Sequence, residues 1–329
     1  MSKVNRNRKK KRTWLRVTGV VALVFLIGAC AYLFSIYTDV SRAVETMHEP
    51  IDRKNSHKQK PEFASAEEIK EVKNKSREPF SVLLLGVDAR PGDKGRSDTM
   101  IVMTVNPEQD STKMVSIPRD ARTMIVGKGF EDKINHAYAF GGPTMAVETV
   151  ENFLDIPIDY YVQVNMEGFK DIVNAVGGVT VTNDLTFTEG GHDFNQGKID
   201  LNGEEALAYV RMRKEDPNGD FGRQKRQRQV IQGVINEGRS LSSITKLDEI
   251  LDALSNNVKT NMTLREMADF QKNYRSASKD LQQIQLQGAG TTIDKIYYQV
   301  FSEEEILAVQ NELKTHLEHS ESTPASTPN

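Results

Sequence analysis

Two short stretches, Phe80 to Val87 (FSVLLLGV) and Thr99 to Val105 (TMIVMTV), are apolar at almost every position. Each is far shorter than the roughly 20 residues of a membrane-crossing helix. Neither alternates apolar with polar, so each is predicted to be a strand buried on both faces. A strand of that kind needs a packed layer on either side. Further strands are predicted at Lys113 to Ile117, Arg122 to Val126, Tyr160 to Val164, Val179 to Val181, Leu281 to Gln287 and Ile296 to Phe301. Helices fall between them. Lys133 to Phe140 reads as a short helix closed by Gly141, Gly142 and Pro143, and Thr144 to Leu154 carries an apolar stripe of Met145, Val147, Val150 and Leu154. Met166 to Ala175 stops at Gly177 and Gly178. Leu241 to Leu254, Leu264 to Tyr274 and Ser302 to Leu317 are amphipathic, while Asp184 to Gly197 reads as an irregular loop or hairpin. Strands alternating with helices specify a layered α/β domain.

Val17 to Tyr37 is a different kind of apolar run: 21 residues without a charge, long enough to cross a bilayer as a helix. Residues 1–16 before it hold eight basic side chains and no acid. The positive-inside rule then leaves residues 1–16 in the cytoplasm and the body outside. A cleaved signal peptide would have a shorter apolar core and a small-residue cleavage site. A lipid-modified Cys30 is the other alternative, suggested by Ile27-Gly28-Ala29-Cys30, but the sequence stays apolar through Ala31, Tyr32, Leu33 and Phe34. All three readings place the body outside the cytoplasmic membrane. Residues 38–78 read as a polar stalk with a short helix near Ala66 to Lys73, residues 79–318 as the folded body, and residues 319–329 as a disordered Ser/Thr/Pro tail. His48 and His57 fall in the stalk and are too isolated to suggest a metal. Cys30 is the only cysteine, so the body is predicted to fold without disulfides and to use no thiol chemistry.

The formal net charge is −3, which leaves −11 for the chain after its basic first 16 residues. An acidic body argues against nucleic acid as a partner, since that needs a broad basic surface. Arginines are nevertheless concentrated between Ala206 and Ile231 (ALAYVRMRKEDPNGDFGRQKRQRQVI). Arg211 and Arg213 are two apart and would point the same way in an extended segment. Arg223, Arg226 and Gln227 would share a helix face. Lys214 to Gly222 has the Asp, Pro, Asn and Gly of a turn between them. The stretch can bring guanidinium groups onto one point, where their forks match phosphate oxygens. A solvated charged helix is the competing reading.

Asp88 directly follows the first buried strand, and Asp98 stands at the mouth of the second. Strand ends are where α/β sheets present ligands. If the two strands are neighbours the carboxylates can meet, and a pair of hard oxygen ligands with no thiolate and no clustered histidine suits Mg²⁺, with Mn²⁺ as the alternative, shared with a substrate phosphate. Either Asp taken alone reads first as a turn cap. Arg96 lies two residues before Asp98, and Arg119 follows the third strand. Each could be only half of a structural ion pair. Together with the late arginines and a carboxylate-held metal, they describe a pocket for a doubly charged group such as a pyrophosphate. His136 could act as a base, although a lone histidine is more often structural. There is no Walker-type loop, no Gly-x-Ser-x-Gly elbow and no paired-histidine zinc motif.

The segments LLLGVDAR, GRSDTM, SIPRD, KINHAYAFGG and AYVRMRKEDPNGDFGRQKRQRQVI, in this order behind one N-terminal anchor, resemble the LytR–CpsA–Psr family over about Phe80 to Asn236. The likeness is greatest to the branch that attaches teichoic acids in Gram-positive rods. The resemblance implies a mixed central sheet flanked by helices. It implies a transferase that moves an anionic glycopolymer from a polyprenyl-pyrophosphate carrier to peptidoglycan through a phosphodiester. By motif match, Asp88 and Asp98 would hold Mg²⁺, while Arg96, Arg119, Arg211, Arg213, Arg223 and Gln227 would grip the pyrophosphate, with Lys133 nearby. A hydrolase of the same lipid pyrophosphate and a non-enzymatic membrane-anchored regulator are the alternatives.

Overall fold

The computed structural model describes residues 35–51, 78–88, 95–238 and 254–318. Alternate side chains of β1 (Phe80–Val87) point to opposite faces, and both sets are apolar. Leu83, Leu85 and Val87 enter one core cluster, and Phe80, Val82 and Leu84 pack into another. Burying a side chain such as Leu83 contributes roughly 1.5–3 kcal/mol. That is why an uninterrupted apolar run occupies an interior strand.

The central sheet has the order β11-β6-β1-β2-β3-β12, with β2 at Ser97–Asn106, β3 at Ser111–Ser116, β6 at Tyr160–Val164, β11 at Val258–Thr260 and β12 at Asp280–Ile284. β1 pairs antiparallel with β2 and parallel with β6, and β3 pairs antiparallel with β2 and parallel with β12. The sheet is therefore mixed. One face is covered by helices that bring Ala146, Val150 and Leu154, and then Val309 and Leu313, into the core. On the other face the Phe270 ring stacks on Phe80 at a centroid distance of 4.2 Å.

Helix α1 spans residues 35–47, and α2 is His136–Leu154. The predicted break between two helices at Gly141 to Pro143 is a kink inside α2, where Gly142 takes a positive φ of 66°. Lys133 is not helical; it ends β5 (Glu131–Lys133), which pairs with β4 (Arg122–Met124). The propensity of the KINHAYAF segment therefore yields at its start to strand pairing. α3 is Met166–Ala175 and α4 is Gly203–Arg211. α5 is Gly219–Gly238, α6 is Leu264–Asn273 and α7 is Glu303–Leu317. The starts are legible as caps. Asn202 accepts from Glu205 N, Thr263 accepts from Glu266 N, and in both the glutamate returns a bond to the cap backbone.

A second cluster, which includes Val173, Val181, Phe187, Tyr209 and Val230, joins α3, α4 and α5 to β7 (Val179–Asn183) and β10 (Gly197–Leu201). The region predicted as an irregular loop or hairpin holds a hairpin of β8 (Phe187–Glu189) and β9 (His192–Phe194). Its aromatic rings pack on Tyr209. β13 (Ala289–Ile293) and β14 (Ile296–Val300) form another hairpin.

Residues 38–51 do not behave as a stalk. Ala43, Val44 and Met47 of α1 are buried with Val258. His48 bridges Thr260, and Tyr161 Oη donates to the Glu49 carbonyl at 2.8 Å. An apolar face too short for the periodicity to show in the sequence seals the edge of the sheet here. Among the described residues no helix is long and apolar enough to cross a membrane. Most of the apolar run 17–37, His57, the Ala66 to Lys73 helix, most of Leu241 to Leu254 and the tail 319–329 lie outside the described residues.

Candidate functional site

The pairing of β1 with β2 has one irregularity. Gly86 faces Thr99 and Val87 faces Ser97, which leaves Asp98 as the extra residue of a β-bulge. A bulge takes one side chain out of the alternation and re-aims it. A Cβ at Gly86 would lie 2.8 Å from the Thr99 Cβ, so only glycine allows the strands this approach. Asp88 follows β1, and its N–H donates to the Arg96 carbonyl at 3.3 Å. Asp88, Arg96 and Asp98 thus share one end of the sheet, with Arg96 exposed.

Arg119 reaches this end from the chain after β3. Its Nη1 donates to Asp98 Oδ2 at 2.9 Å, and its Nε lies 3.6 Å from Asp120 Oδ2. Lys133 donates to Asp120 Oδ1 at 2.6 Å. Asn135 Nδ2 donates to Asp98 Oδ1 at 3.1 Å. Asn135 occupies the N-cap of α2 but makes no side-chain cap bond, and its Oδ1 is buried without a hydrogen-bond partner. Burial works to lower the Arg119 pKa, but Asp98, Asp120 and Asp220 outweigh it and the pKa is raised.

α5 brings the third side of the site. Gln227 Nε2 donates to Thr99 Oγ1 at 2.8 Å. Arg223 Nη2 lies 2.7 Å from Asp220 Oδ1, while its Nε is buried with no hydrogen-bond partner. Burial lowers the Arg223 pKa, and the nearby Arg119 and Arg213 push the same way against Asp220 and Asp98. Arg223 therefore has a carboxylate partner and, at its buried Nε, a donor left free that could serve an anion.

The arginine-rich stretch divides. Arg213 is near Arg223, as expected. Arg211 ends α4, Met212 then turns extended, and the Arg211 guanidinium contacts Met166 Sδ. Among the described contacts none joins Arg211 to the cluster. The extended geometry expected for Arg211 and Arg213 is absent because α4 runs on to Arg211. Arg226 does not share the Arg223 point either. Its Nη1 pairs with Asp216 Oδ2 at 2.5 Å, and Nε and Nη2 donate to the Tyr209 and Met212 carbonyls.

Asp120, Asn135 and Asp220 belong to the cluster and were not expected in it. Asp120 adjoins Arg119, and Asn135 lies inside the KINHAYAFGG segment. The available signal was an Asn before a helix whose side chain the helix does not need. His136 Nδ1 lies 2.7 Å from Asp132 Oδ2. Burial pushes the Asp132 pKa up, but hydrogen bonds from His136 and the Lys133 N–H prevail and lower it.

The donors at this end are hard oxygens: Asp88, Asp98 and the unpartnered Asn135 Oδ1. They fit Mg²⁺ or Mn²⁺. Among the described residues no group of three or more His, Cys, Asp or Glu could hold a metal by itself. A cation here would therefore draw its remaining ligands from a bound phosphate and water.

The pattern of the LytR_cpsA_psr family matches residues 34–315. The chain is 50% identical over 314 residues to the polyisoprenyl-teichoic acid–peptidoglycan teichoic acid transferase TagU of Bacillus subtilis (strain 168), covering 95% of this chain and 99% of the relative. The crystal structure of B. subtilis TagU superposes with a TM-score of 0.61 at 53% identity, over 73% of this chain and 98% of that one. The structure of TagT bound to LI-WTA superposes with a TM-score of 0.67 at 34% identity, over 82% and 99%.

Proposed function

The chain belongs to the LytR_cpsA_psr family, and we propose that it transfers an anionic glycopolymer, wall teichoic acid, from a polyprenyl-pyrophosphate carrier to peptidoglycan. The observation that carries this reading is the cluster of Asp98, Arg119, Asn135, Arg223 and Gln227, with its buried, unpartnered Arg223 Nε and Asn135 Oδ1. The names of the relatives support the substrate class.

In the reaction, a peptidoglycan sugar hydroxyl attacks the glycan-side phosphorus. The bond from that phosphorus to the bridging oxygen breaks, polyprenyl phosphate leaves, and the hydroxyl proton is released. Arg119 and Arg223 hold the oxygens on which charge accumulates, and Arg96, Arg213 and Lys133 add positive field. Fixed charges of this kind act without reorganising as the reaction proceeds. Asp88 and Asp98 would hold Mg²⁺, which supplies further charge neutralisation beside the pyrophosphate when bound. The segment 17–37 anchors the chain, so the site meets its lipid-linked donor at the outer face of the cytoplasmic membrane.

The test uses the full chain in detergent with a synthetic polyprenyl-pyrophosphate glycan, Mg²⁺ and peptidoglycan oligomers, followed by mass spectrometry. The expected product is glycan joined to peptidoglycan through a phosphodiester. Release of free glycan phosphate with untouched peptidoglycan would make the enzyme a hydrolase and overturn the transferase.

A further inference from the structure

Beside the cluster, α5 borders a cavity of about 480 Å³. Its floor holds a charge that the site described above does not use. Arg228 is 7% exposed and lines the cavity. Its Nε donates to Gln283 Oε1 at 3.0 Å and its Nη1 to Ser116 Oγ at 2.9 Å. Both partners are neutral, and among the described residues no carboxylate forms an ion pair with Arg228. Burial alone lowers its pKa, with no anion to offset it. A guanidinium taken out of water without a counter-charge is costly, and folded chains rarely keep one without a use.

The contrast with Arg226, two residues earlier, is direct. Arg226 is 4% exposed and faces Asp216. The same helix therefore buries one arginine with its counter-ion and one without. The remaining lining suits a polar anionic chain. Gln224, Gln285 and Gln287 contribute to the wall, and the exposed ring of Phe221 stands at its edge. Lys225, whose ammonium pairs with Asp184, adds a second cation. Asn218, just before α5, and Gly222, in its first turn, line the cavity at the helix end where amide groups present partial positive charge. The nearby carboxylates are already engaged: Asp216 by Arg226, and Asp220 by Arg223 and Gln224. Glu305 accepts from the Gln287 N–H at 2.7 Å.

The cavity also continues the site. Ser116, which ends β3 and binds Arg228, lies three residues before Arg119. Arg223 and Gln227 face β2, while Gln224 and Arg228 are one step further round α5 toward β3 and β12.

We propose that the Arg228 cavity is a second anion subsite, which takes a phosphate of the transferred polymer beyond the reacting pyrophosphate. This rests on the glycopolymer reading above and adds to it. A polymer that repeats its negative charge could be held at two points, and its register at the reacting phosphorus fixed by the second.

The experiment measures equilibrium binding to the full chain of a lipid-free oligomer of glycerol phosphodiesters, with a neutral N-acetylglucosamine oligomer as control. The phosphodiester is expected to bind more tightly than the neutral probe. Arg228→Gln is expected to weaken it roughly ten-fold or more, the loss expected for hydrogen bonds to a charged group. Arg228→Lys, which keeps the charge, should recover part of the affinity. Thermal melting without ligand separates this from a structural role: removing an uncompensated buried charge should leave Arg228→Gln as stable as the parent or more so. Equal binding of both probes, or unchanged phosphodiester binding in Arg228→Gln, would overturn the subsite even if the transferase assay succeeds. Loss of muropeptide binding in Arg228→Gln, with phosphodiester binding intact, would assign the cavity to the acceptor and overturn it likewise. The expected binding pattern alongside a failed transferase assay would keep the anion subsite and remove the proposed reaction.

Discussion

Arg226 and Arg223 stand one helical turn apart on α5 and have opposite surroundings. Arg226 spends its donors on Asp216 and on the carbonyls of Tyr209 and Met212, and lies against the Phe187 and Tyr209 rings. Arg223 pairs with Asp220 at 2.7 Å, keeps a buried Nε with no hydrogen-bond partner, and has Arg119 and Arg213 near it as well as Asp98. The first is complete within the chain. The second is paired with Asp220 and still has a donor left over. Residue type, helix and burial are nearly the same in both. The difference is that Asp216 and two carbonyls take up the donors of Arg226, whereas Arg223, paired with Asp220, keeps one buried N–H without an acceptor.

The strongest way to break this comparison is to remove the satisfied member. Arg226→Ala leaves Asp216, with only 2% of its side chain exposed, buried without its partner. The expected loss of stability is about 3–5 kcal/mol, read by denaturant unfolding. A loss below about 1 kcal/mol would mean that the pair is not structural.

Removing the unsatisfied member should act on activity instead. Arg223→Gln is expected to lower kcat/KM roughly 100-fold or more, of the order seen when one donor to a developing oxyanion is lost. Its melting temperature should stay close to that of the parent, because Asp220 is partly exposed and still accepts from Gln224. A variant that melts early and keeps its activity would reverse the two roles.

His316 sharpens the comparison with a group that is satisfied but neutral. It is 1% exposed, with Nδ1 2.8 Å from Thr104 Oγ1 and Nε2 2.9 Å from Ser111 Oγ. Burial, with Lys113 adding to it, depresses its pKa from 6.5 to about 4. The unfolded chain therefore binds the proton first. The stability His316 permits is fully present above pH 6.5 and is lost as the pH falls toward about 4. The loss should be roughly 3 kcal/mol, at up to about 1.4 kcal/mol per pH unit. Unfolding followed across that window should steepen in the parent and flatten in His316→Gln. Parallel curves would remove His316 as the cause.

The smallest effect belongs to Lys113 and Glu312, paired at 2.8 Å with side chains 18% and 44% exposed. Glu312→Gln is expected to change stability by no more than about 0.5 kcal/mol, as water already screens the pair. A larger change in urea unfolding would show that exposure is a poor guide to these charges.

Much of the fold was present in local sequence. The apolar run FSVLLLGV gave a strand buried on both faces because its two alternating sets each have a cluster to enter. The caps at Asn202, Thr263 and Ser302 mark helix starts because the bonds involved span only three residues. That Asp98, Arg119, Arg223 and Gln227 come together was legible because they stand at strand ends or one turn apart on a helix.

The sequence could not show which of its many arginines are answered. Asp216, Ser116 and Gln283 reach Arg226 and Arg228 from 10, 112 and 55 positions away. Nor could it show that Asp98 is a bulge, since that depends on how β1 and β2 slide past each other, or that residues 38–51 close the sheet edge at Val258–Thr260, 213 positions away between Thr46 and Lys259. Periodicity and capping are settled between near neighbours, so sequence alone determined them. Counter-charge, register and the contact of Arg211 with Met166 depend on distant segments, and only the tertiary structure decided those.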